Sequence, residues 1–356
     1  MENILIDTDI HPVVSKDRVL DFIAEPWKTR VASGNTGPGT LGYWNPNGVN
    51  RRDAITPEGE RIEQNPAHLS KYHFDAYNLA YGIFNPGGAI AIGLSPEPDF
   101  AAAYCSAIND VFIEDWLPTD ARFRYSLIVS PADPLLAAQE IHRYGNHENV
   151  VQVLMCSGSQ FGYGHRFYHP IYEAAVAYDL PVAIHPGSEG RGVSGQPSAV
   201  GYPSNYFEWH TNLATNYIAH LTSLVTEGVF QKFPTLKFVM IEGGVAWLPP
   251  ILWRFDKNWK SLRSTAPWLD RPPSEIVYDH MVFTTQPIEE APKSQYLHQI
   301  LDMFPSDKIL MFSTDFPHWD GDTPDFSLRM LPASLHRAVM WETASKLYKL
   351  PVPIHD

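Results

Sequence analysis

ENILIDTD (residues 2–9) and KILMFSTD (residues 308–315) lie at opposite ends of the chain, and each is an apolar run that ends in an aspartate. Runs that are apolar throughout, instead of alternating with polar residues, are typical of strands buried on both faces of a parallel sheet. The two stretches therefore predict the first and last strands of a parallel sheet, each with a carboxylate at its end.

Similar runs recur between these two stretches, and helical patterns separate them. The further predicted strands are 123–130, 150–156, 180–186, 236–243 and 280–285, with a weaker candidate within 79–93. The predicted helices are 99–116, 133–146, 170–179, 212–231, 245–262, 288–304 and 327–348. Strand and helix alternating about eight times is the pattern of a (β/α)8 TIM barrel. A doubly wound sheet is the alternative, but no glycine-rich phosphate loop follows the first strand.

Two segments do not fit the repeat. Residues 13–78 and 187–210 are rich in Pro, Gly, Asn and charged residues and show little periodicity. Each follows a predicted strand, so both are expected to be long loop insertions over the C-terminal face of the barrel, where they cover the active site. We therefore predict one barrel domain over residues 1–356, with residues 13–78 inserted after the first strand.

Composition excludes several classes of protein. The 356 residues are 44% hydrophobic and 19% charged, with a net charge of −14. This balance is unlike that of a disordered chain, and it argues against nucleic acid or an anionic membrane surface as a partner. The N-terminal residues lack the features of a signal peptide, and no apolar stretch is long enough to span a bilayer. We expect a cytoplasmic protein that acts on a small molecule.

Side chains that bind metals stand at the ends of predicted strands. Alternate residues of a strand point to the same side, so Asp7, Asp9 and His11 are expected to share a direction, the last two facing a centre above the barrel. Three other strand ends supply His185, Glu242 and Asp315. Carboxylate and imidazole groups converging from separate strands are ligands for a divalent cation such as zinc or manganese. The sequence also contains no nucleophile elbow, dinucleotide fingerprint or P-loop, which favours a metal site without an organic cofactor.

Four motifs carry a resemblance to a known family. They are DTDIH at 7–11, VAIHPG at 182–187, IEGGVAWLPP at 241–250 and STDFPHWD at 313–320. Their order resembles the amidohydrolase superfamily, and most of all the amidohydrolase-related (family 2) branch that includes the aminocarboxymuconate semialdehyde and resorcylate decarboxylases. The resemblance extends from Asp7 to about Trp341, and the motif at Asp315 is its most specific part.

The resemblance implies a set of metal ligands. These are Asp9 and His11 after the first strand, His185 after the fifth and Asp315 after the eighth. The family usually has histidine or glutamate where this chain has Asp9. A carboxylate still binds a divalent ion, but its added negative charge is expected to make the metal a weaker Lewis acid.

A second departure concerns catalysis. The related decarboxylases carry a catalytic histidine before two glycines after the sixth strand, and this chain has Glu242 there. Glu242 is a candidate acid or base if its surroundings raise its pKa. The alternative is an ion pair with Arg254 or Arg191 that only supports the site. Asp315 is the second catalytic candidate.

Three further residues are candidates for the pocket. Arg191 is expected to bind a substrate carboxylate through two hydrogen bonds, with an ordinary surface arginine as the alternative. His210 is a catalytic candidate that faces the pocket, or else a histidine that caps a helix. His318 is expected to orient Asp315 or to contact the substrate.

The resemblance favours a metal-dependent decarboxylase, a carbon–carbon lyase that acts on a hydroxylated aromatic or enol carboxylic acid. The alternative is a metal-dependent hydrolase or hydratase, in which activated water attacks a lactone, an amide or an activated double bond. The departure at Glu242 favours this second reaction. The resemblance also implies a homodimer, with the segment from Trp259 to Trp268 as a candidate contact between subunits.

Overall fold

Eight parallel strands form a single sheet in which each strand pairs with the next one along the chain. The computed structural model describes residues 4–34 and 41–351, so residues 2 and 3 of the first predicted strand lie outside the described residues. The strands are β1 (Leu5–Ile10), β2 (Leu79–Phe84), β3 (Phe123–Ile128), β4 (Val150–Cys156), β5 (Val182–His185), β6 (Phe238–Met240), β7 (Met281–Thr284) and β8 (Leu310–Met311).

The end of the sheet closes onto its beginning. The amide of Thr8 donates a hydrogen bond to the carbonyl of Phe312 (3.1 Å), and the amide of His11 donates to the carbonyl of Phe316 (2.7 Å). Ile10 and Phe316 also form a parallel bridge. Closure confirms the predicted (β/α)8 TIM barrel, and the weaker candidate within 79–93 is its second strand.

Burial explains why the strands are apolar throughout. Every residue of β1, β4 and β7 is buried, because helices cover the outside of the barrel and side chains fill its interior. The helices are α1 (Lys16–Phe22), α2 (Trp27–Ala32), α3 (Pro66–Leu69), α4 (Asp75–Tyr77), α5 (Pro98–Val111), α6 (Pro134–Tyr144), α7 (His169–Ala177), α8 (Tyr206–Thr211), α9 (Ala214–Thr226), α10 (Val229–Lys232), α11 (Leu248–Leu262), α12 (Pro273–His280), α13 (Ser294–Leu301), α14 (Ser306–Ile309), α15 (Pro324–Met330) and α16 (Thr343–Tyr348).

Proline explains why two of the predicted helices differ in extent from the structure. The helix predicted over 288–304 begins only at Ser294, because Pro292 lacks the amide hydrogen that a helix starting at residue 288 would need at that position. The helix predicted over 327–348 is broken after α15. Leu331 there is extended (ψ 144°), as the residue before a proline tends to be, and Pro332 follows it.

The first long insertion is only partly a cover for the barrel mouth. Residues 13–78, predicted as a loop insertion after the first strand, contain helices α1 to α4. Helices α1 and α2 pack beside α5 on the outside of the barrel, where the ring of Trp27 lies 5.5 Å from that of Phe100. Residues 35–40 lie outside the described part of the chain. Residues 41–49 return to the barrel mouth and line its cavity.

Within residues 4–34 and 41–351, none of the helices has both the length and the apolar character needed to cross a bilayer.

Candidate active site

Five side chains converge where strands β1, β5, β6 and β8 end. Their ligand atoms all lie within 4.8 Å of one another, and all five residues are buried. They are Asp9, His11, His185, Glu242 and Asp315. The structure therefore brings together the four predicted metal ligands and the predicted acid or base. Parallel strands produce this convergence, since their carboxyl ends share one rim of the barrel.

Two of these carboxylates stand on unusual backbone. Glu242 and Asp315 have φ angles of 58° and 57°, in the left-handed region that residues other than glycine seldom adopt. Hydrogen bonds hold both positions: the amide of Glu242 donates to Thr284 Oγ1 (2.9 Å), and the amide of Asp315 donates to the Asp9 carbonyl (3.0 Å). Such strain concentrates at functional sites because it aims side chains that regular strands would turn away.

Backbone carbonyls determine which nitrogen of each histidine faces the cluster. His11 Nδ1 donates to the carbonyl of Asn85, and His185 Nδ1 donates to the carbonyl of Pro186, each over 2.9 Å. With the proton on Nδ1, the Nε2 lone pair of each neutral imidazole points into the cluster. This is the usual way in which a protein prepares histidine to bind a metal.

The atoms that face the centre of the cluster have no hydrogen-bond partner among the residues described. They are Asp9 Oδ2, His11 Nε2, His185 Nε2 and Asp315 Oδ2. His11 Nε2 lies 2.8 Å from Asp315 Oδ1 and 3.1 Å from Asp9 Oδ1, but neither contact has hydrogen-bond geometry. Unpartnered buried polar atoms are costly. Two carboxylates and two imidazoles in this arrangement fit a divalent cation, which would satisfy all four atoms.

Electrostatics support the same conclusion. Burial alone would lower the pKa of His11, but the charge of Asp9 and the contact with Asp315 outweigh it and raise the pKa to about 10. Burial likewise opposes the charge of His185, and Asp9 and Glu242 raise its pKa. Clustered carboxylates thus require positive charge at this point, which protons or a divalent cation can supply.

Glu242 belongs to the cluster and does not form the ion pairs considered as alternatives. Its Oε2 lies 3.0 Å from His185 Nε2, and no ion pair joins it to Arg254 or Arg191 in the described part of the protein. Burial raises the pKa of Glu242, and the neighbouring charge of Asp315 raises it further, against the opposing effect of His185.

Asp7 does not share the direction of Asp9 and His11, so that expectation is wrong. The pairing of β1 with β2 shifts register between Asp7 and Ile10, which interrupts strict alternation. Asp7 instead accepts hydrogen bonds from the amide of Thr314 (2.9 Å) and pairs with His73 Nε2 (2.9 Å). It joins β1 to the segment that carries Asp315, a role that the strand pattern does not indicate.

A cavity of about 360 Å³ opens above the cluster. Its polar lining includes Arg191, His210 and His318, so the structure brings all three predicted pocket residues to one place. Its walls are largely aromatic and aliphatic, and five of the eight wall residues come from the two long insertions. These wall residues are Leu41, Tyr43, Val49, Ile90, Tyr206, Trp209, Leu213 and Trp319. The dimensions and lining suit a small aromatic molecule that carries an acidic group.

Two of the three predicted pocket residues, His318 and His210, have defined partners. His318 Nδ1 lies 2.6 Å from Asp315 Oδ1, and its ring stacks on that of His11 at 4.3 Å. His210 Nε2 lies 3.3 Å from Asp320 Oδ2. Arg191 Nε is buried without a hydrogen-bond partner in the described ranges. Two residues that contact this site, Asn85 and Asp320, were not predicted. Asn85 lies in none of the four motifs, and Asp320 ends the motif at 313–320 without having been assigned a role.

A TIM barrel with a buried carboxylate–imidazole cluster at the ends of its strands defines a divalent-metal-dependent enzyme. The sequence profile of the amidohydrolase family matches residues 6–350. The chain belongs to the amidohydrolase family.

Relatives in this family include several named decarboxylases. A gamma-resorcylate decarboxylase of Rhodococcus jostii RHA1 is 27% identical over 262 residues, which cover 68% of this chain and 74% of the relative. A 2-keto-4-carboxy-3-hexenedioate hydratase of Sphingobium is 27% identical over 150 residues, covering 42% of this chain and 37% of the relative.

Solved structures share the fold. A 5-carboxyvanillate decarboxylase of Novosphingobium aromaticivorans, complexed with manganese and 4-hydroxy-3-methoxy-5-nitrobenzoic acid, superposes with a TM-score of 0.72. The match covers 98% of this chain and 97% of that chain at 18% identity. A 2,6-dihydroxybenzoate decarboxylase from Rhizobium superposes with a TM-score of 0.67, at 19% identity and covering 97% of this chain and 98% of that one. At these identities the likeness establishes the barrel.

Proposed function

We propose that this protein is a divalent-metal-dependent decarboxylase of hydroxylated aromatic or enol carboxylic acids. The observation that carries the proposal is the set of four unpartnered buried atoms at the floor of an aromatic-walled cavity. The names of relatives and structural neighbours support this reaction over others: gamma-resorcylate, 5-carboxyvanillate and 2,6-dihydroxybenzoate decarboxylases. Each of those substrates is a phenolic carboxylic acid.

The proposed ligands are Asp9, His11, His185 and Asp315, with manganese favoured over zinc. Manganese accepts a mixture of carboxylate and imidazole ligands, and it is bound in the solved 5-carboxyvanillate decarboxylase described above. When bound, the ion supplies a Lewis acid for the carboxylate and the adjacent oxygen of the substrate.

Proton delivery is assigned to Asp315 together with His318. The Oδ1 atom of Asp315 contacts His318 Nδ1, and His318 is partly exposed in the cavity, so it can exchange a proton with solvent. A proton added to the carbon that bears the carboxylate forms the new C–H bond. The C–C bond then breaks, its electron pair restores the conjugated system, and carbon dioxide leaves.

Arg191 and His210, which line the cavity, are assigned to substrate binding. The Arg191 guanidinium is the cation of the cavity lining that can bind a second acidic group of the substrate. His210 stacks on the ring of Tyr206 at 5.5 Å and contacts Asp320, which holds its ring against the cavity. From this position His210 can donate a hydrogen bond to a phenolic oxygen.

The first test combines metal analysis with an assay. We expect about one equivalent of manganese or zinc in the purified protein, and its loss in Asp9→Ala and in Asp315→Ala. The protein is then loaded with manganese and supplied with 2,6-dihydroxybenzoate and 5-carboxyvanillate, and carbon dioxide release is measured. Asp110→Ala is the matched control, because Asp110 is a buried aspartate bonded to Tyr144 and Arg143, on the outer helices.

A folded protein that takes up neither metal after chelation and reloading would contradict the proposal. A metal-loaded protein that releases no carbon dioxide from any phenolic acid, and instead hydrates an enoic acid, would contradict the proposed decarboxylation. The proposed metal site would stand.

Glu242 favours hydration as the second candidate. A carboxyl whose pKa is raised by burial can hold or accept a proton beside activated water, and one relative is named as a hydratase. Glu242→Gln distinguishes the reactions, because decarboxylation as assigned above does not need this group to ionise, whereas general-base catalysis does. Retention of carbon dioxide release within about threefold of the wild type would exclude Glu242 as the essential base.

We further propose that the chain is a single domain that acts as a homodimer in the cytoplasm. Exposed tryptophans support the dimer: Trp253 and Trp268 are 57% and 48% exposed, and large exposed aromatic side chains are frequent at subunit contacts. Light scattering of the purified protein measures the mass directly, and a mass near 40.1 kDa, that of one chain, would contradict the dimer.

A further inference from the structure

A row of buried polar side chains runs through the barrel from its C-terminal segment to Asp9. Tyr348 Oη lies 2.8 Å from Gln152 Oε1, and Gln152 Nε2 lies 2.8 Å from Ser126 Oγ. Ser126 Oγ lies 2.6 Å from Asn85 Oδ1, and Asn85 Nδ2 lies 2.7 Å from Asp9 Oδ1. Asn85, Ser126 and Gln152 are fully buried, and Tyr348 is 7% exposed.

The acceptor at the end of this row determines the direction of every hydrogen bond. The Asp9 carboxylate only accepts, so Asn85 must present its amide group to Asp9 and its oxygen to Ser126. Ser126 has one hydroxyl hydrogen, which it donates to Asn85, and it therefore accepts from the amide of Gln152. The oxygen of Gln152 is left to accept from the Tyr348 hydroxyl. All four donors thus point toward Asp9, an arrangement in which successive bonds strengthen one another.

The same asparagine also holds a second proposed ligand. The main-chain carbonyl of Asn85 accepts a hydrogen bond from His11 Nδ1, while the side-chain amide of Asn85 donates to Asp9. Asn85 follows the end of β2, and its position therefore controls the orientation of two neighbouring side chains in the cluster.

The row begins at the opposite end of the barrel from the cavity. Residues 343–351 pass across the N-terminal ends of the strands, where Pro351 accepts a hydrogen bond from Tyr81 of β2 (2.8 Å) and Lys349 pairs with Asp179, just before β5. Gln152 lies near the start of β4, Ser126 within β3 and Asn85 just beyond β2. The hydrogen bonds therefore lead from the N-terminal ends of the strands to the cluster at their C-terminal ends.

We propose that Tyr348 is a positioning residue for the metal centre, acting through Gln152, Ser126 and Asn85 to hold the Asp9 carboxylate. The proposal rests on the assignment of Asp9 as a ligand in the proposed function. Asn85 donates to Oδ1 of Asp9, and Oδ2 of the same carboxylate is the unpartnered atom that faces the cluster.

The test measures cobalt binding to the full chain, independently of activity. Metal is removed with a chelator, Co²⁺ is titrated back, and the visible absorption of the ion reports both affinity and ligand geometry. Tyr348→Phe removes the first donor, and Ser126→Ala breaks the row in the middle with little change in volume. Tyr125→Phe is the matched control, since Tyr125 is also fully buried and donates to a side chain, Asn109 Oδ1, over 2.8 Å.

Changes in the hydrogen-bond partners of ligands typically weaken metal binding about 10- to 100-fold. We expect weakening of about tenfold in Ser126→Ala and about threefold in the more distant Tyr348→Phe, each with a shifted visible spectrum. Tyr125→Phe should keep the affinity and spectrum of the wild type although it loses a comparable buried hydrogen bond. If Tyr348→Phe fails to fold, Ser126→Ala decides the question.

The outcomes separate this proposal from the one on which it rests. Wild-type protein that binds Co²⁺ while Ser126→Ala and Tyr348→Phe match Tyr125→Phe would overturn the positioning role alone. Wild-type protein that binds no Co²⁺ would overturn the metal site and the positioning role together.

Discussion

Two groups of buried histidine in this protein differ in what their ring nitrogens contact. His220 uses both: Nδ1 accepts from the amide of Tyr163 (3.2 Å), and Nε2 donates to the carbonyl of Ser157 (2.7 Å). Its pKa is lowered to about 4 by burial. His11 and His185 use one nitrogen each and turn the other toward carboxylates. Burial is common to both groups, so what marks the functional site is that the unpartnered nitrogens of His11 and His185 meet unpartnered carboxylate oxygens in one cluster.

The largest effect on metal binding and kcat is expected when a histidine nitrogen is removed from the cluster. His185→Ala should abolish stable metal binding and lower kcat by about 10³-fold or more, because one of four ligands and the local charge balance are lost. His220→Ala should lose stability but retain one equivalent of metal. Elemental analysis and carbon dioxide release measure the two variants. Equal metal loss in both would show that the contacts of the ring nitrogens do not distinguish the two groups.

Removal of the metal should change the free energy of unfolding by different amounts in variants of the two histidine groups. Chelation is expected to lower the free energy of unfolding by about 4 kcal/mol when free metal had been 1,000 times the Kd. Denaturant unfolding with and without chelator measures the difference. His220→Gln should show the same loss from a lower starting stability, whereas His11→Ala should show almost none. A full chelation effect in His11→Ala would contradict the assignment of His11 as a ligand.

The pH dependence of stability sharpens the comparison further. The pKa of His220 is lower in the folded protein than its usual 6.5, so the unfolded chain binds the extra proton between these values. Stability contributed by neutral His220 is therefore full above pH 6.5 and is lost as pH falls toward 4. A shift of this size corresponds to about 3 kcal/mol.

The comparison is between wild type and His220→Gln, unfolded in urea across this pH range. The variant should be less stable at pH 7.5 and should show a shallower decline toward pH 4. An unchanged slope would mean that other groups cause the acid sensitivity.

The smallest effect is expected for arginine, where an arginine of the cavity is compared with one held in an ion pair. Arg191 Nε is buried without a partner among the residues described, whereas the Arg122 guanidinium donates to Asp120 through Nε and Nη2. Arg191→Lys should raise KM about tenfold with little change in kcat, because lysine cannot bind a carboxylate through two parallel hydrogen bonds. Arg122→Lys should leave KM unchanged. Steady-state kinetics with a dicarboxylic phenol measure KM and kcat of both variants. A fall in kcat alone in Arg191→Lys would contradict the binding role of Arg191.

The chain order and chemical character of the strands were enough to predict the barrel. Apolar runs such as 150–156 mark strands buried on both faces, and their spacing leaves room for a helix between each pair. Prediction was weakest at helix boundaries, where Pro292 and Pro332 outweigh a favourable pattern on either side. It also failed for Asp7, because a register shift depends on the neighbouring strand and leaves no trace in local alternation.

What the sequence determined by itself is the identity of the groups at the rim of the barrel. Asp9, His11, His185 and Asp315 each stand at the end of an apolar run, and parallel strands must bring such ends together. The tertiary structure alone decided how those groups are held. Asn85 reaches Asp9 across 76 residues of sequence, and Tyr348 reaches Gln152 across 196. Hydrogen bonds between such distant residues depend on packing of the whole barrel, so no local pattern can record them.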